Sequence, residues 1–120
     1  MKIIITKSPK SVKKWRAIFE DGKHVDFGAA GMSDYTIHKD PLRMRLYVNR
    51  HGGSVSKTTS IPRKVHTQMQ SIKKSNKENW TKKGIRTAGF WSRWLTWSEP
   101  SLRKAVRRIE RMFNVQISLK

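Results

Sequence analysis

The chain has 120 residues, and its 27 Lys and Arg against 8 Asp and Glu give a formal net charge of +19 at pH 7. That length predicts a single domain over 1–120 with one modest core, too short for a repeat array or a second catalytic domain. It contains no cysteine, which excludes a disulfide framework, a thiolate zinc site and a cysteine nucleophile. No apolar run approaches the roughly 20 residues of a membrane-spanning helix, and the Ile-rich start, Met1–Ile5, is far shorter than a secretory h-region. So large a cationic excess repels itself unless something anionic meets it, and nucleic acid, a lipid headgroup surface or an acidic protein all qualify.

In chain order, Lys2–Thr6 reads as a short strand, and Ser8-Pro9-Lys10-Ser11 as a turn. Trp15, Ala17 and Phe19 alternate with polar neighbours. Asp21-Gly22 is a two-residue hairpin signal, and Val25 and Phe27 then alternate with His24 and Asp26. The spacing predicts a hairpin with a Trp/Phe/Val face. Asp40-Pro41 suits an N-cap and first helical position, so a helix is expected from about Pro41 to His51, with Leu42, Leu46 and, less regularly, Met44, Tyr47 and Val48 on its inner face. Ser54–Lys77 carries Lys57, Arg63, Lys64, Lys73, Lys74 and Lys77 and no acid. Its few apolar residues (Val55, Ile61, Val65, Met69, Ile72) are too sparse to define a core. We therefore expect a basic arm across 52–77, ordered only on a partner.

Phe90–Trp97 is the densest aromatic stretch. On a helix, Phe90, Trp91, Trp94, Leu95 and Trp97 fill one arc, while Ser92, Arg93 and Thr96 fill the other. Helical spacing favours core, although aromatics beside Arg also suit base stacking or a bilayer interface. After the Ser98–Ser101 start signal, Leu102, Ala105, Val106, Ile109, Met112 and Phe113 form an unbroken helical stripe, with Arg103, Lys104, Arg107, Arg108 and Arg111 opposite. Asn114 caps that helix, and Val115, Ile117 and Leu119 alternate as a last short strand able to join the N-terminal sheet. The expected fold is α+β: a small N-terminal hairpin or sheet against two or three helices, with the inserted arm and a short C-terminal strand.

Catalytic signals are sparse. His24, His38, His51 and His66 include no i, i+4 pair, so no metal site is expected. Asp34, Asp40 and Glu78 would have to converge in space to hold the ions of a metal-dependent nuclease, and no spacing indicates that they do. No phosphate-cradling glycine loop or nucleophile elbow is present. We expect no enzyme, cofactor or small-molecule substrate. The cationic stripe and the arm are the candidate polyanion- or partner-binding residues, suited to salt-dependent contact with phosphates and without base readout.

FGAAGMSDYTIHKD (Phe27–Asp40), Arg43, Tyr47, Arg50-His51, Glu78-Asn79-Trp80 and TAGFWSRWLTW (Thr87–Trp97), with Pro100, together resemble a family of small basic proteins of large eukaryotic double-stranded DNA viruses of the nucleocytoplasmic group. The resemblance spans roughly Trp15 to Phe113. Asp34, Tyr35, His38, Asp40, Arg50, His51, Trp80, Trp91, Arg93, Trp94 and Trp97 belong to its motifs and are expected to be structural. In the family the Arg-His pair lies only a few residues before Glu-Asn-Trp, so Gly52–Lys77 reads as an insertion with no inherited role. The resemblance implies a virion location after synthesis in an infected host cell. The expected function is a structural, minor capsid or internal protein bound to other virion proteins, to an anionic inner membrane surface or to DNA. The alternative is a sequence-nonspecific DNA-binding protein that condenses or accompanies the genome.

Overall fold

The computed structural model describes residues 1–56 and 59–120. Among the described residues the fold is α+β, a four-stranded sheet with five helices. β1 (Lys2–Lys7), β2 (Lys13–Ile18) and β3 (His24–Ala29) form an antiparallel meander, and β4 (Gln116–Leu119) adds to the open edge of β1 in parallel, giving the order β3-β2-β1-β4. The expected C-terminal strand thus does join the N-terminal sheet.

Register follows from alternation. Ile5 faces Ala17, Ala17 faces Val25 and Ile3 faces Ile117, so the apolar positions of all four strands share one side. That side is covered by helices, and Ile3, Ile5, Ala17, Phe19 and Phe27 are buried there. The other side carries Arg16 and Asp26, paired across β2 and β3 with Arg16 Nε 2.9 Å from Oδ1. The Asp21-Gly22 turn forms as expected, with Gly22 at φ +84 and its N–H donating to the Phe19 carbonyl.

α1 (Tyr35–His38) is a single turn capped by Asp34, and α2 (Pro41–Arg50) is capped by Asp40 with Pro41 in its first turn. Of the expected inner face of α2, Met44, Tyr47 and Val48 are buried and Leu42 is half-buried, whereas Leu46 is 59% exposed. Met44, Tyr47 and Val48 recur at i, i+3 and i+4, a tighter stripe than Leu42 and Leu46 alone define.

The expectation of a coreless arm is corrected over Pro62–Gln70, which forms α3. Val65 and Met69, at i and i+4, enter the main core, and Val55 and Ile72 pack against it half-buried. Two apolar residues on one helical face suffice because the rest of the core already exists for them to enter. The segment also closes on itself: Asn76 N–H donates to the Gly52 carbonyl, and Ser75 Oγ donates to the His51 carbonyl. Gly52, at φ +95, belongs to this junction; a Cβ there would approach the Ser75 and Asn76 side chains to 2.5 Å.

The aromatic stretch is α4 (Ala88–Trp91), continuing directly into a π-helical segment, Ser92–Thr96. Phe90, Trp91, Trp94 and Leu95 are fully buried as expected, but Arg93 and Thr96, expected on the outer arc, are buried too. The wider π turn changes the angle between successive side chains, so a 100° projection misplaces them. α5 (Leu102–Phe113) follows its predicted stripe, starts at a Ser101 cap and ends at Asn114 in the left-handed conformation.

Candidate polyanion-binding surface

The charge on this fold is arranged by how few acids it has and where each one goes. Asp26 takes Arg16, the Ser8 hydroxyl and, at 3.7 Å, Lys10. Those contacts, Arg16 foremost, hold its carboxyl far below the usual carboxylate range. Asp34, buried, takes Lys14 at 2.6 Å and the Thr36 amide. Glu99 takes Arg108 at 2.6 Å, and Asp21 takes Arg86 at 3.0 Å. Asp40 caps α2. Glu20 accepts from the Lys2 amide, Glu78 from the Trp80 indole and Glu110 from the Ile117 amide. Every one of the 8 carboxylates therefore has a partner within the chain. Among the described residues, Lys10, Lys14, Arg16, Arg86 and Arg108 are the lysines and arginines that reach one. Most of the cationic excess faces solvent uncompensated.

On α5, Arg103, Lys104, Arg107 and Arg111 are exposed, as the stripe predicts. Arg108 departs from it. Its guanidinium is half-buried against Glu99, and its contacts hold α5 to the loop before it. Arg63 and Lys64 lie on the exposed side of α3, and Lys73 and Lys74 are exposed just beyond its C-terminus. Lys57 lies outside the described residues. Lys73 and Lys74 meet Lys82 around a recess of about 330 Å³ floored by Trp80, Met112 and Phe113. No local pattern in the sequence marks Lys82; only folding brings it beside residues of the insertion and of α5.

The motif residues assemble elsewhere. Asp34, Tyr47, Arg50, His51, Glu78 and Trp97 line one cleft of about 440 Å³, with Ser92, Thr96 and Gly89. Its inner wall is a ring stack: Trp97 on Tyr47 at 4.4 Å and 6°, and Tyr47 on His51 at 3.9 Å. Gly89 gives Glu78 its place, since a Cβ there would lie 2.7 Å from the carboxyl carbon. Burial, and secondarily the Glu78 charge, raises the Tyr47 pKa. Two of the three carboxylates whose convergence was in question, Asp34 and Glu78, face this cleft; Asp40 does not. No group of three His, Cys, Asp or Glu able to hold a metal occurs among the described residues.

The remaining motif residues pack or hydrogen-bond within the fold. Tyr35 OH meets His66 Nδ1 at 2.7 Å, and its phenol is pushed up to about 12 by burial. His38 packs on Trp97 at 5.3 Å. Trp80, Trp91 and Trp94 are buried with each indole N–H donating, to Glu78, to the Ile85 carbonyl and to the Trp80 carbonyl respectively. Arg93 is 0% exposed. It donates to the Met69, Ile72 and Trp97 carbonyls and stands over the Trp94 and Trp80 rings. Burial lowers its pKa to about 10, which leaves it charged at neutral pH.

A family of unknown function (DUF5754) matches residues 3–51, from β1 to just past α2. No curated protein and no solved structure matches the chain.

Proposed function

We propose that this is a non-enzymatic structural protein that works by binding polyanions, in the setting its sequence resemblance implies: a minor capsid or internal protein of a large DNA virus. The observation that carries the reading is the disposition of the carboxylates. All 8 are engaged by the fold's own amides, hydroxyls, indole and cations, and among the described residues Lys10 and Arg86 are the exposed lysines and arginines that reach one. A surface so charged lowers its free energy most by meeting phosphates or a partner's acidic face. The α5 face of Arg103, Lys104, Arg107 and Arg111 is its most regular part. Capsid proteins, an inner membrane and packaged DNA are the partners that suit it.

Fractionation of disrupted virions, alongside a salt titration of duplex DNA binding, tests the reading. Co-sedimentation with empty shells, and DNA binding that collapses by physiological salt, is the result expected of a capsid component. Exclusion from virions defeats it. The second reading, a sequence-nonspecific protein that accompanies the genome, is favoured by the lysine-rimmed recess beside α5. It predicts that the protein follows the DNA fraction and keeps submicromolar affinity.

A further inference from the structure

We propose that the inserted segment and the host fold together form a track for single-stranded nucleic acid, with an apolar recess for one unstacked base and an adjoining groove for phosphates. The inference rests on the polyanion reading above and specifies a ligand for it.

The recess, about 330 Å³, is lined by the exposed Lys73, Lys74 and Lys82 together with the half-buried Met112 and Phe113 and the edge of the buried Trp80. A second cavity of about 480 Å³ shares Lys74 with it and adds Lys77 and the polar side chains of Asn49, Ser54 and Asn76. No carboxylate lines either. Apolar floor and cationic rim therefore pass directly into a polar, cationic groove, the order in which a nucleotide presents base, sugar and phosphate.

The Lys73–Lys74 segment and Phe113 are held in place. Arg93 fixes the Met69 and Ile72 carbonyls just before Lys73, and the Asn76–Gly52 hydrogen bond closes the segment just after Lys74. Phe113 is fixed from beneath by Phe90 at 4.9 Å and Trp94 at 5.8 Å. The lysines thus hang from ordered backbone, which lowers the ordering cost on binding.

The burial of the apolar residues selects the ligand. A duplex offers phosphates but keeps its bases stacked inside, so it touches the lysines and leaves the recess empty. An anionic bilayer is engaged by apolar groups that protrude, whereas here Met112 and Phe113 are half-buried and Trp80 is buried while the lysines are exposed. A single strand supplies both parts, and because every base has an apolar face the binding is sequence-tolerant.

The test measures binding of the full chain to a fluorescent oligo-dT, an abasic strand of equal length, a duplex, and phosphatidylserine vesicles. The wild type is compared with Lys73→Ala/Lys74→Ala/Lys82→Ala, whose fold is checked by circular dichroism. The abasic strand is expected to bind about five- to a hundredfold more weakly than oligo-dT, the range for one buried base. The triple variant should lose single-strand affinity, with a salt slope shallower by about 0.7 for each phosphate that it no longer neutralises, and lose proportionately less for duplex. Equal affinity for abasic and dT strands overturns the track, as does a duplex bound as tightly as oligo-dT, or vesicles that displace oligo-dT. If those results come with firm duplex binding, the polyanion reading survives alone. If no polyanion binds even at about 0.01 M salt, where the Debye length is about 30 Å, both fall.

Discussion

Arg93 illustrates how one side chain joins parts of the chain that sequence separates. It sits beneath the surface without a carboxylate partner, and three carbonyls with two indole rings replace its water. Removing it leaves a cavity and three acceptors without their donor. Arg93→Ala should therefore destabilise the protein by about 2–5 kcal/mol, the cost of a buried large-to-small change that also leaves acceptors unpaired, read as a lower urea midpoint. Arg93→Lys, with one ammonium in place of a planar fork, should recover only part of it. His66 makes a prediction in pH. Burial lowers its pKa, outweighing Glu99, while Arg108 and Lys104 push the same way as burial and Tyr35 OH contacts its Nδ1. A histidine whose folded pKa is depressed favours folding when neutral. That contribution is present above its unfolded pKa, about 6.5, and is lost as pH falls through the lower folded value. The melting temperature should fall between pH 7 and pH 5, and His66→Gln should flatten the fall. His38, lowered by burial in the same sense, contributes any slope that remains.

The elements differ in how far their own residues specify them. α5 carries a Ser101 cap, an unbroken apolar stripe and an Asn114 terminator, so cap, periodicity and stop agree. α3 has no side-chain cap and two buried residues, and it depends on the core it enters. Met69→Ala should cost about 2–5 kcal/mol, as for other buried large-to-small changes, measured by chemical denaturation; an arm without a core would lose almost nothing. Ser101→Ala should cost about 1 kcal/mol through loss of the α5 cap. The π-helical turn is where helical periodicity misleads in a definite way. Ser92–Thr96 holds its ladder with hydroxyls, Thr96 Oγ1 donating to the Ser92 carbonyl and Ser98 Oγ to the Trp94 carbonyl. A polar residue turned inward and bonded to backbone looks, in a helical projection, like one turned to solvent.

For the whole molecule, the arginines of α5 divide into two groups that substitution can separate. Arg103→Ala/Arg107→Ala/Arg111→Ala should leave the melting temperature nearly unchanged and weaken duplex DNA binding, reducing the salt slope by about 0.9 for each phosphate left without its cation. Arg108→Ala should do the reverse, because it leaves Glu99, only 9% exposed, without its cation. Thermal melts and a salt titration of the two variants settle the division. If the triple variant binds DNA as well as wild type does at every salt concentration, α5 is not the electrostatic face.

Much of this was legible locally. The strands alternate, Asp21-Gly22 turns, Asp40-Pro41 starts a helix and the α5 stripe runs uninterrupted, because each signal resides in neighbouring residues and reports backbone preference or one face of one element. The excess of cations is likewise a property of composition alone, and so is the absence of any thiol. What the chain could not disclose by itself is everything that depends on which elements meet. The parallel pairing of β4 with β1, the burial of Val65 and Met69, Lys82 beside Lys73, and one cleft receiving Asp34, His51, Glu78 and Trp97 all join residues far apart in sequence. Tertiary packing also decided which cations remain free. Arg93 and Arg108 carry the same charge as Arg107, but only the fold sets carbonyls around the first and a glutamate beside the second, leaving the third to solvent. Propensity and periodicity act within an element, whereas burial and desolvation are set between elements, and the positions of this protein's charges are settled between them.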